Sequence, residues 1–214
     1  MRVEIWADIV CPFCYIGKNN FRRFLEELPE GETLEIINRS YELDPYASRT
    51  ESPNSVASLA EKYGFSLEEA KARMSGVEEM AGKAGLPMNI FATRGANTHD
   101  AHRLVHLAKK SGKDEEVLDA LFRAHFVDGL NLNDQDVLYS LWKEAGLNEK
   151  EAREALASET MTEEVQADLL RAQELGIRGV PYFLFDGKAE VSGAQPKEVF
   201  HRVYETLTKN PTEK

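Results

Sequence analysis

The chain has 214 residues, 42% of them hydrophobic, which is enough for one substantial core or one domain with an inserted subdomain. Its formal net charge of −11 argues against nucleic acid as a partner, because phosphates attract Lys- and Arg-rich surfaces. No segment approaches the roughly 20 apolar residues that span a membrane. Glu4 and Asp8 interrupt the apolar N-terminal run, which is unlike a secretory signal. We therefore expect a soluble, cytoplasmic protein that contacts no membrane.

The chain begins with the pattern of a strand, a helix and a second strand. Alternating apolar residues predict the first strand at residues 3–10. A helix follows from Pro12, which suits the first helical position because its missing N–H costs nothing there. The second strand is predicted at residues 34–43. This order is typical of a crossover unit with a parallel strand pair.

The middle of the chain has helical periodicity and no convincing strand. Several of its segments begin near a serine, as at an N-cap, and end at glycine. We interpret residues 51–160 as an all-helical insertion. Its predicted helices run through residues 52–64, 66–85, 97–112, 114–126, 134–146 and 148–158.

Strand patterns return near the end of the chain. A helix at about residues 161–175 precedes a short apolar strand at 182–185. The Asp-Gly pair at 186–187 is a strong hairpin signal, so residues 189–193 are predicted to be the return strand. A closing amphipathic helix is predicted at residues 196–207.

The two cysteines of the chain, Cys11 and Cys14, stand at the predicted start of the first helix. A CxxC in that place, in a chain whose ends fold as β-α-β and α-β-β-α, is a thioredoxin-like signature. The predicted fold class is therefore α/β, a thioredoxin-like fold with an inserted all-helical domain. Residues 1–50 and 161–214 would form the discontinuous thioredoxin-like domain.

The position of the cysteines predicts their division of labour. A thiolate at a helix N-terminus faces free backbone N–H groups and the positive end of the helix dipole, which stabilise it. Cys11 is therefore the predicted nucleophile. Cys14 lies one helical turn further along the same face, turned inward, and is the predicted resolving thiol. Pro12 and Phe13, which lie between the cysteines, are expected to set the helix geometry and the dipole around Cys11.

Other interpretations of these residues stay open. A CxxC also forms half of a zinc site in some proteins, but zinc requires about four ligands and this sequence has no further cysteines. His99, His102 and His106 share one helical face, a spacing that resembles metal ligation; ordinary packed polar residues are the simpler interpretation. For these reasons no metal site is predicted. Two inert buried cysteines are the third alternative.

Val180 and Pro181 form the second notable feature of the sequence. In the thioredoxin fold a proline just before the third strand adopts the cis form and packs beside the cysteines. The backbone of Val180 would then pair with an extended substrate. A trans proline that opens a strand is the plain alternative. Asp8 is a candidate acceptor for the proton of Cys14, or else a strand-end residue bonded to backbone.

Three motifs carry a resemblance that covers nearly the whole chain. They lie at residues 8–18, 97–103 and 176–183. The chain resembles the DsbA family, and within it the FrnE-like group of dithiol-disulfide oxidoreductases. The resemblance implies a redox-active pair of Cys11 and Cys14 with cis-Pro181. Some relatives carry a second cysteine pair near the C-terminus, which this chain lacks.

The insertion is also similar to that of kappa-class glutathione transferases and 2-hydroxychromene-2-carboxylate isomerases. Those proteins typically have a serine where Cys11 stands, and they bind glutathione. The resemblance implies that Asn97 and His102 line a substrate cleft between the two subdomains. Helix capping by Asn97 and a solvated His102 are the alternatives.

The favoured function is thiol-disulfide oxidoreductase or isomerase, acting on protein or small-molecule disulfides and dithiols. A glutathione-dependent transferase or isomerase is the second hypothesis, and a binding module with sensor or vestigial thiols is the third. No cofactor is predicted, although glutathione is a candidate redox partner.

Overall fold

The computed structural model describes residues 1–209, so residues 210–214 of the predicted segment 161–214 lie outside the described residues. None of the helices in the described part combines the length and the apolar composition that a bilayer crossing requires. The elements are β1 (Arg2–Ala7), α1 (Pro12–Leu25), β2 (Glu35–Ser40), α2 (Ser55–Tyr63), α3 (Leu67–Lys83), a 3₁₀ turn (Ile90–Ala92), α4 (His99–Lys109), α5 (Asp114–Phe126), α6 (Gln135–Glu144), α7 (Glu149–Leu156), α8 (Thr162–Glu174), β3 (Tyr182–Phe185), β4 (Ala189–Ser192) and α9 (Lys197–Lys209).

The four strands form one sheet in the order β2-β1-β3-β4. β1 and β2 are parallel, as the predicted crossover through α1 requires. β3 runs antiparallel to both β1 and β4, so the Asp-Gly hairpin also forms where the sequence predicts it. The mixed sheet with helices on its faces confirms the predicted α/β, thioredoxin-like fold class.

The central strand β1 is buried on both faces. Val3 and Ile5 pack with aromatic residues of α1 and α9, while Trp6 packs with Ala172 of α8. The alternation of apolar and polar residues in β1 therefore does not mark a solvent-facing side. Glu4 lies on the face beneath α8 and is buried as well. The strand carries a buried charge in the core of the protein.

An ion-pair network attaches α8 to the sheet. Glu4 accepts hydrogen bonds from Arg39 of β2 and Arg171 of α8. Asp168 of α8 accepts from Arg39 at 2.8 Å and from the backbone N–H of Ser40 at 2.8 Å. Burial raises the pKa of the Asp168 carboxyl, but hydrogen bonds from His106, Ser40 and Arg39 outweigh it, so the pKa lies below its usual value.

The inserted helices share a core with the thioredoxin-like part. Cys11 and Cys14 belong to the same buried cluster as Leu104 of α4, Phe122 of α5 and Trp142 of α6. The residue bounds predicted for the two domains stay a prediction. The shared core nevertheless means that the helices of residues 99–144 form one wall of the cysteine site.

The first two strands, β1 and β2, end earlier than the predicted ranges 3–10 and 34–43. β1 ends at Ala7, because the N–H of Cys11 donates to the carbonyl of Asp8 at 3.1 Å and closes a turn before α1. β2 ends at Ser40, after which the N–H of Leu43 donates to the Asp8 carboxylate at 2.8 Å. A side chain thus replaces the sheet partner that a longer strand would need.

Candidate active site

Cys11 caps the N-terminus of α1. Its backbone is extended, with φ −90° and ψ 112°, and Pro12 occupies the first helical turn. The carbonyl of Cys11 accepts the N–H groups of Cys14 and Tyr15. This is the local structure that the sequence predicts, and it directs the N-terminal end of the α1 dipole toward the Cys11 sulfur.

The two cysteines are free thiols that lie close together. Cys14 is 0% exposed and its sulfur accepts the backbone N–H of Asp8 at 3.4 Å, whereas Cys11 keeps 4% exposure. Burial raises the pKa of the Cys14 thiol well above its usual value, and the neighbouring Cys11 sulfur and Asp8 charge raise it further. Cys14 therefore needs an acceptor for its proton before it can act as a nucleophile.

Val180 and Pro181 lie against Cys11. The Cys11 thiol donates to the carbonyl of Val180, with 3.7 Å between sulfur and oxygen, and the Val180–Pro181 peptide bond is cis. The carbonyl of Pro181 accepts the N–H of Gly193 at 2.8 Å. Phe13, between the cysteines, is 40% exposed. The motif at residues 176–183 and the CxxC, far apart in sequence, thus meet at one sulfur atom.

Gly17 allows α1 to approach the proline. A Cβ atom at Gly17 would lie 2.7 Å from Cγ of Pro181, closer than real contacts allow. We expect Gly17→Ala to destabilise the protein by about 1–3 kcal/mol, because overpacking a tight contact displaces its neighbours. The shift of Pro181 should also slow reactions at Cys11. Urea unfolding and the rate of thiol exchange measure the two effects.

Gly76→Ala is the matched control. Gly76 also lies inside a helix, α3, but nothing stands within 4 Å of a Cβ placed there. That change should stabilise the protein by about 0.5–1 kcal/mol, since alanine loses less backbone entropy in a helix. A Gly17→Ala protein as stable as the Gly76→Ala protein would contradict the close-contact argument.

Asp8 lies beneath the cysteine pair and is 1% exposed. Its Oδ2 atom accepts the N–H of Leu43, while Oδ1 has no hydrogen-bond partner among the described residues. The backbone N–H of Asp8 donates to the sulfur of Cys14, and its carboxylate retains a free accepting atom. Both interpretations of Asp8 from the sequence, a backbone-bonded residue and a proton acceptor, are compatible with this geometry.

His102 is buried, so the alternative of a solvated side chain is wrong. Its Nε2 atom donates to the carbonyl of Tyr41 at 3.1 Å and lies 3.5 Å from Oδ1 of Asp8. Asn97 lies one residue before Thr98, the N-cap of α4: its Oδ1 accepts the N–H of His99, and its Nδ2 donates to the carbonyl of Ala47 at 3.0 Å. Asn97 thus holds the segment after β2, and its contact with a substrate stays a prediction.

The three histidines of the α4 face have separate partners. His99 pairs with Glu42 at 2.8 Å, and His106 lies 3.0 Å from Asp168. Residues 1–209 contain no group of three or more His, Cys, Asp or Glu side chains arranged to hold a metal ion. The spacing in α4 therefore reflects one buried helix face directed at β2 and the segment after it.

A groove of about 380 Å³ opens beside the cysteine helix. We call it the Val10 groove, after the residue that precedes Cys11. Its walls come from the segments around Leu43 and Pro53, from α2 and from the end of α5. Its lining includes Val10, Leu43, Asp44, Glu51, Lys62, Arg94 and His125.

Sequence reasoning did not single out His125. It lies in the last turn of α5, is 2% exposed, and lines the Val10 groove. Its Nδ1 atom has no hydrogen-bond partner among the described residues. Burial lowers the pKa of His125 to about 4, although the charge of Asp8 opposes the shift, so the ring is neutral at pH 7. The one local signal is a histidine within an otherwise apolar buried helix face.

A sheet of this order, with helices on its faces and a CxxC at the start of its first helix, is the arrangement of a thioredoxin-like protein. The chain belongs to the DSBA-like thioredoxin domain family, whose model matches residues 2–205. It is similar to the YwbO protein of Bacillus subtilis, with 29% identity over 205 residues and 94% coverage of both chains.

Solved structures extend the comparison. A crystal structure described as a probable DsbA oxidoreductase from Streptomyces coelicolor matches with a TM-score of 0.95 and 39% identity, covering 100% of this chain and 92% of that one. The cytosolic disulfide reductase DsbM from Pseudomonas aeruginosa matches with a TM-score of 0.68 and 17% identity, covering 97% and 99%. At that identity the likeness to DsbM shows the fold alone.

Proposed function

We propose that the protein is a thiol-disulfide oxidoreductase that exchanges disulfides through Cys11 as nucleophile and Cys14 as resolving thiol. One observation carries the proposal: Cys11, the less buried of the two cysteines, occupies the N-cap position of α1 beside Val180, and Cys14 is fully buried next to it. Family membership supports the same class of reaction. The assignment to the FrnE-like group and the cytoplasmic location stay predictions.

The first step is attack by the Cys11 thiolate on a substrate disulfide. The N-terminal end of α1 stabilises the negative charge on that sulfur. One sulfur–sulfur bond of the substrate breaks, a mixed disulfide with Cys11 forms, and one substrate sulfur leaves with the bonding electron pair. The exposed ring of Phe13 and the backbone of Val180 lie beside the reacting sulfur and are placed to contact the substrate.

The second step is resolution by Cys14. Its proton passes to Asp8, the buried carboxylate with a free accepting atom. The Cys14 thiolate then attacks the Cys11 sulfur, the Cys11–Cys14 bond forms, and the second substrate sulfur leaves as a thiolate. The protein dithiol is oxidised by two electrons and the substrate disulfide is reduced; the reverse sequence oxidises a substrate dithiol.

The substrates that we propose are protein or small-molecule disulfides and dithiols, with glutathione as a redox partner. DsbM, which shares the fold, has also been solved with GSH, and this supports the choice of glutathione as a probe. The exposed apolar ring of Phe13 favours a substrate that presents an apolar group next to its sulfur.

Redox titration tests the proposal. The protein is equilibrated in glutathione buffers of graded potential, its free thiols are alkylated, and the products are identified by mass spectrometry. We expect one reversible two-electron transition whose oxidised product contains an internal Cys11–Cys14 disulfide. Recovery of thiols in every buffer, or of glutathione on Cys11 without any internal disulfide, would overturn the proposal.

A further inference from the structure

Two buried side-chain polar atoms in the described residues have no hydrogen-bond partner, and they belong to Asp8 and His125. Leaving such an atom unpaired costs about 1–3 kcal/mol. Native structures keep few of these atoms, and each one calls for an explanation. Both atoms lie next to the cysteine site, where an unpaired acceptor has a chemical use.

The two side chains are connected through the wall of the Val10 groove. Asp8 binds the N–H of Leu43, and both Leu43 and Val10 line the groove together with His125. His125 therefore lies at the groove wall, while Asp8 is held behind Leu43 and its backbone N–H donates to Cys14. Burial lowers the pKa of His125, and the charge of Asp8 opposes that shift.

His102 does not offer Asp8 the same outlet. Its Nε2 atom is 3.5 Å from Oδ1 of Asp8 but donates to the carbonyl of Tyr41, and a carbonyl only accepts. That nitrogen therefore carries a hydrogen and has no lone pair to receive a proton. His125 has an unpaired ring nitrogen and a ring that lines the open groove.

We propose that His125 is a proton-transfer residue that links Asp8 to the Val10 groove during resolution by Cys14. The inference rests on the proposed function and adds the route of the proton. When Cys14 attacks, its proton moves to Asp8. From Asp8 it passes through an intervening water to His125, because the two unpaired atoms do not contact each other directly, and from His125 to water or to the departing substrate thiolate in the groove. The electron pairs move as described above, so no further oxidant or reductant is needed.

Other charged groups face the groove and set the local field. Asp44 lies 3.7 Å from Lys62 of α2 in an ion pair, and Arg94 also lines the groove. Glu51 adds a further carboxylate from the segment before α2. The charges of these two cations and two carboxylates cancel, so the charged residues that line the groove supply no net charge that would hold a proton on His125.

A chromogenic aromatic disulfide separates the two steps, since dithiobis-nitrobenzoate releases one thionitrobenzoate on attack by Cys11 and a second on resolution by Cys14. We expect His125→Gln to leave the first phase unchanged and to slow the second by at least about tenfold. General acid–base groups accelerate proton-transfer steps by about 10²- to 10⁴-fold. The expected loss is smaller because water in the groove can accept part of the protons in the variant. Asp8→Asn should also slow the second phase, and adding His125→Gln to it should slow that phase no further.

Chemical rescue distinguishes proton transfer from packing. In His125→Ala, added imidazole should restore the second phase, because the small molecule enters from the groove; it should leave the wild-type rate unchanged. His201→Gln is the control, since His201 lies on α9, does not line the groove and pairs with Glu27. Both phases should persist in that variant. Either variant decides the question alone if the other does not fold.

The outcomes separate the two proposals. A wild-type protein that never releases the second thionitrobenzoate contradicts the proposed function itself. A wild-type protein with two phases, together with a His125→Gln protein of equal second-phase rate or a His125→Ala protein indifferent to imidazole, contradicts the role of His125 alone.

Discussion

Replacing Asp168 with alanine is expected to lower the free energy of unfolding by about 3–5 kcal/mol, the cost of removing one partner from a buried ion-pair network. The carboxylate, 1% exposed, binds Arg39, the N–H of Ser40 and His106. Without it, Arg39 keeps Glu4 as its ionic partner but loses its second carboxylate, and the N–H of Ser40 stays buried and unpaired between α8 and β2. Urea unfolding at neutral pH measures the loss.

The same substitution has a defined pH dependence. Because the folded-state pKa of Asp168 is depressed, its contribution to stability is complete above the ordinary aspartate value of about 3.9 and is lost as the pH falls through the folded-state pKa. The deficit of Asp168→Ala should therefore shrink in acid. Glu164→Ala, an exposed acidic position on the same helix, is the control and should change stability by no more than about 0.5 kcal/mol. An Asp168→Ala deficit as small as that would contradict the network argument.

Substituting either cysteine is expected to stop turnover, but at different points. Cys11→Ser removes the nucleophile, so insulin reduction should fall to the rate without protein. Cys14→Ser leaves attack by Cys11 intact and stops resolution, so a mixed disulfide should accumulate. Its release by millimolar free thiol should be slower than resolution in the wild type by at least about a thousandfold, since oriented intramolecular groups act at far higher effective concentrations.

Mass spectrometry of non-reduced samples reads out this difference. Cys14→Ser should carry one substrate on Cys11, and Cys11→Ser should carry none. Adduct formation on Cys14 in the Cys11→Ser protein would contradict the assignment, because Cys14 is sealed from solvent. Wild-type insulin reduction by the Cys11→Ser protein would contradict it as well.

The sequence predicted the elements with strong local signals. Pro12 at the start of α1 and the Asp-Gly turn at residues 186–187 are short-range features, and both lie where they were expected. The strand-helix-strand order also led to the correct parallel pairing of β1 and β2. The helix start and the turn depend on residues within a few positions of each other, and the pairing follows from the order of the elements, so a pattern in the sequence carries all three.

The buried polar groups depend on distant residues and were not predicted. Glu4 pairs with Arg171, 167 positions away, and Asp168 pairs with Arg39, 129 positions away. In the sequence Glu4 looks like the polar side of an alternating strand, and His125 like one residue of an amphipathic helix. Their burial arises from the way α5 and α8 cover the sheet and the cysteine site, which only the assembled fold shows.

The shared core of the cysteines and the inserted helices ties the redox state to the folding energy. Cys11 and Cys14 contact the same apolar cluster as α4, α5 and α6, so closing or opening their bond changes the packing on which those helices depend. By thermodynamic linkage, whatever stability oxidation adds or removes must reappear in the reduction potential, at about 30 mV for each 1.4 kcal/mol. A mutation in the helical layer should therefore shift the potential of the dithiol, without contacting either sulfur, when it changes the stabilities of the oxidised and the reduced protein by different amounts.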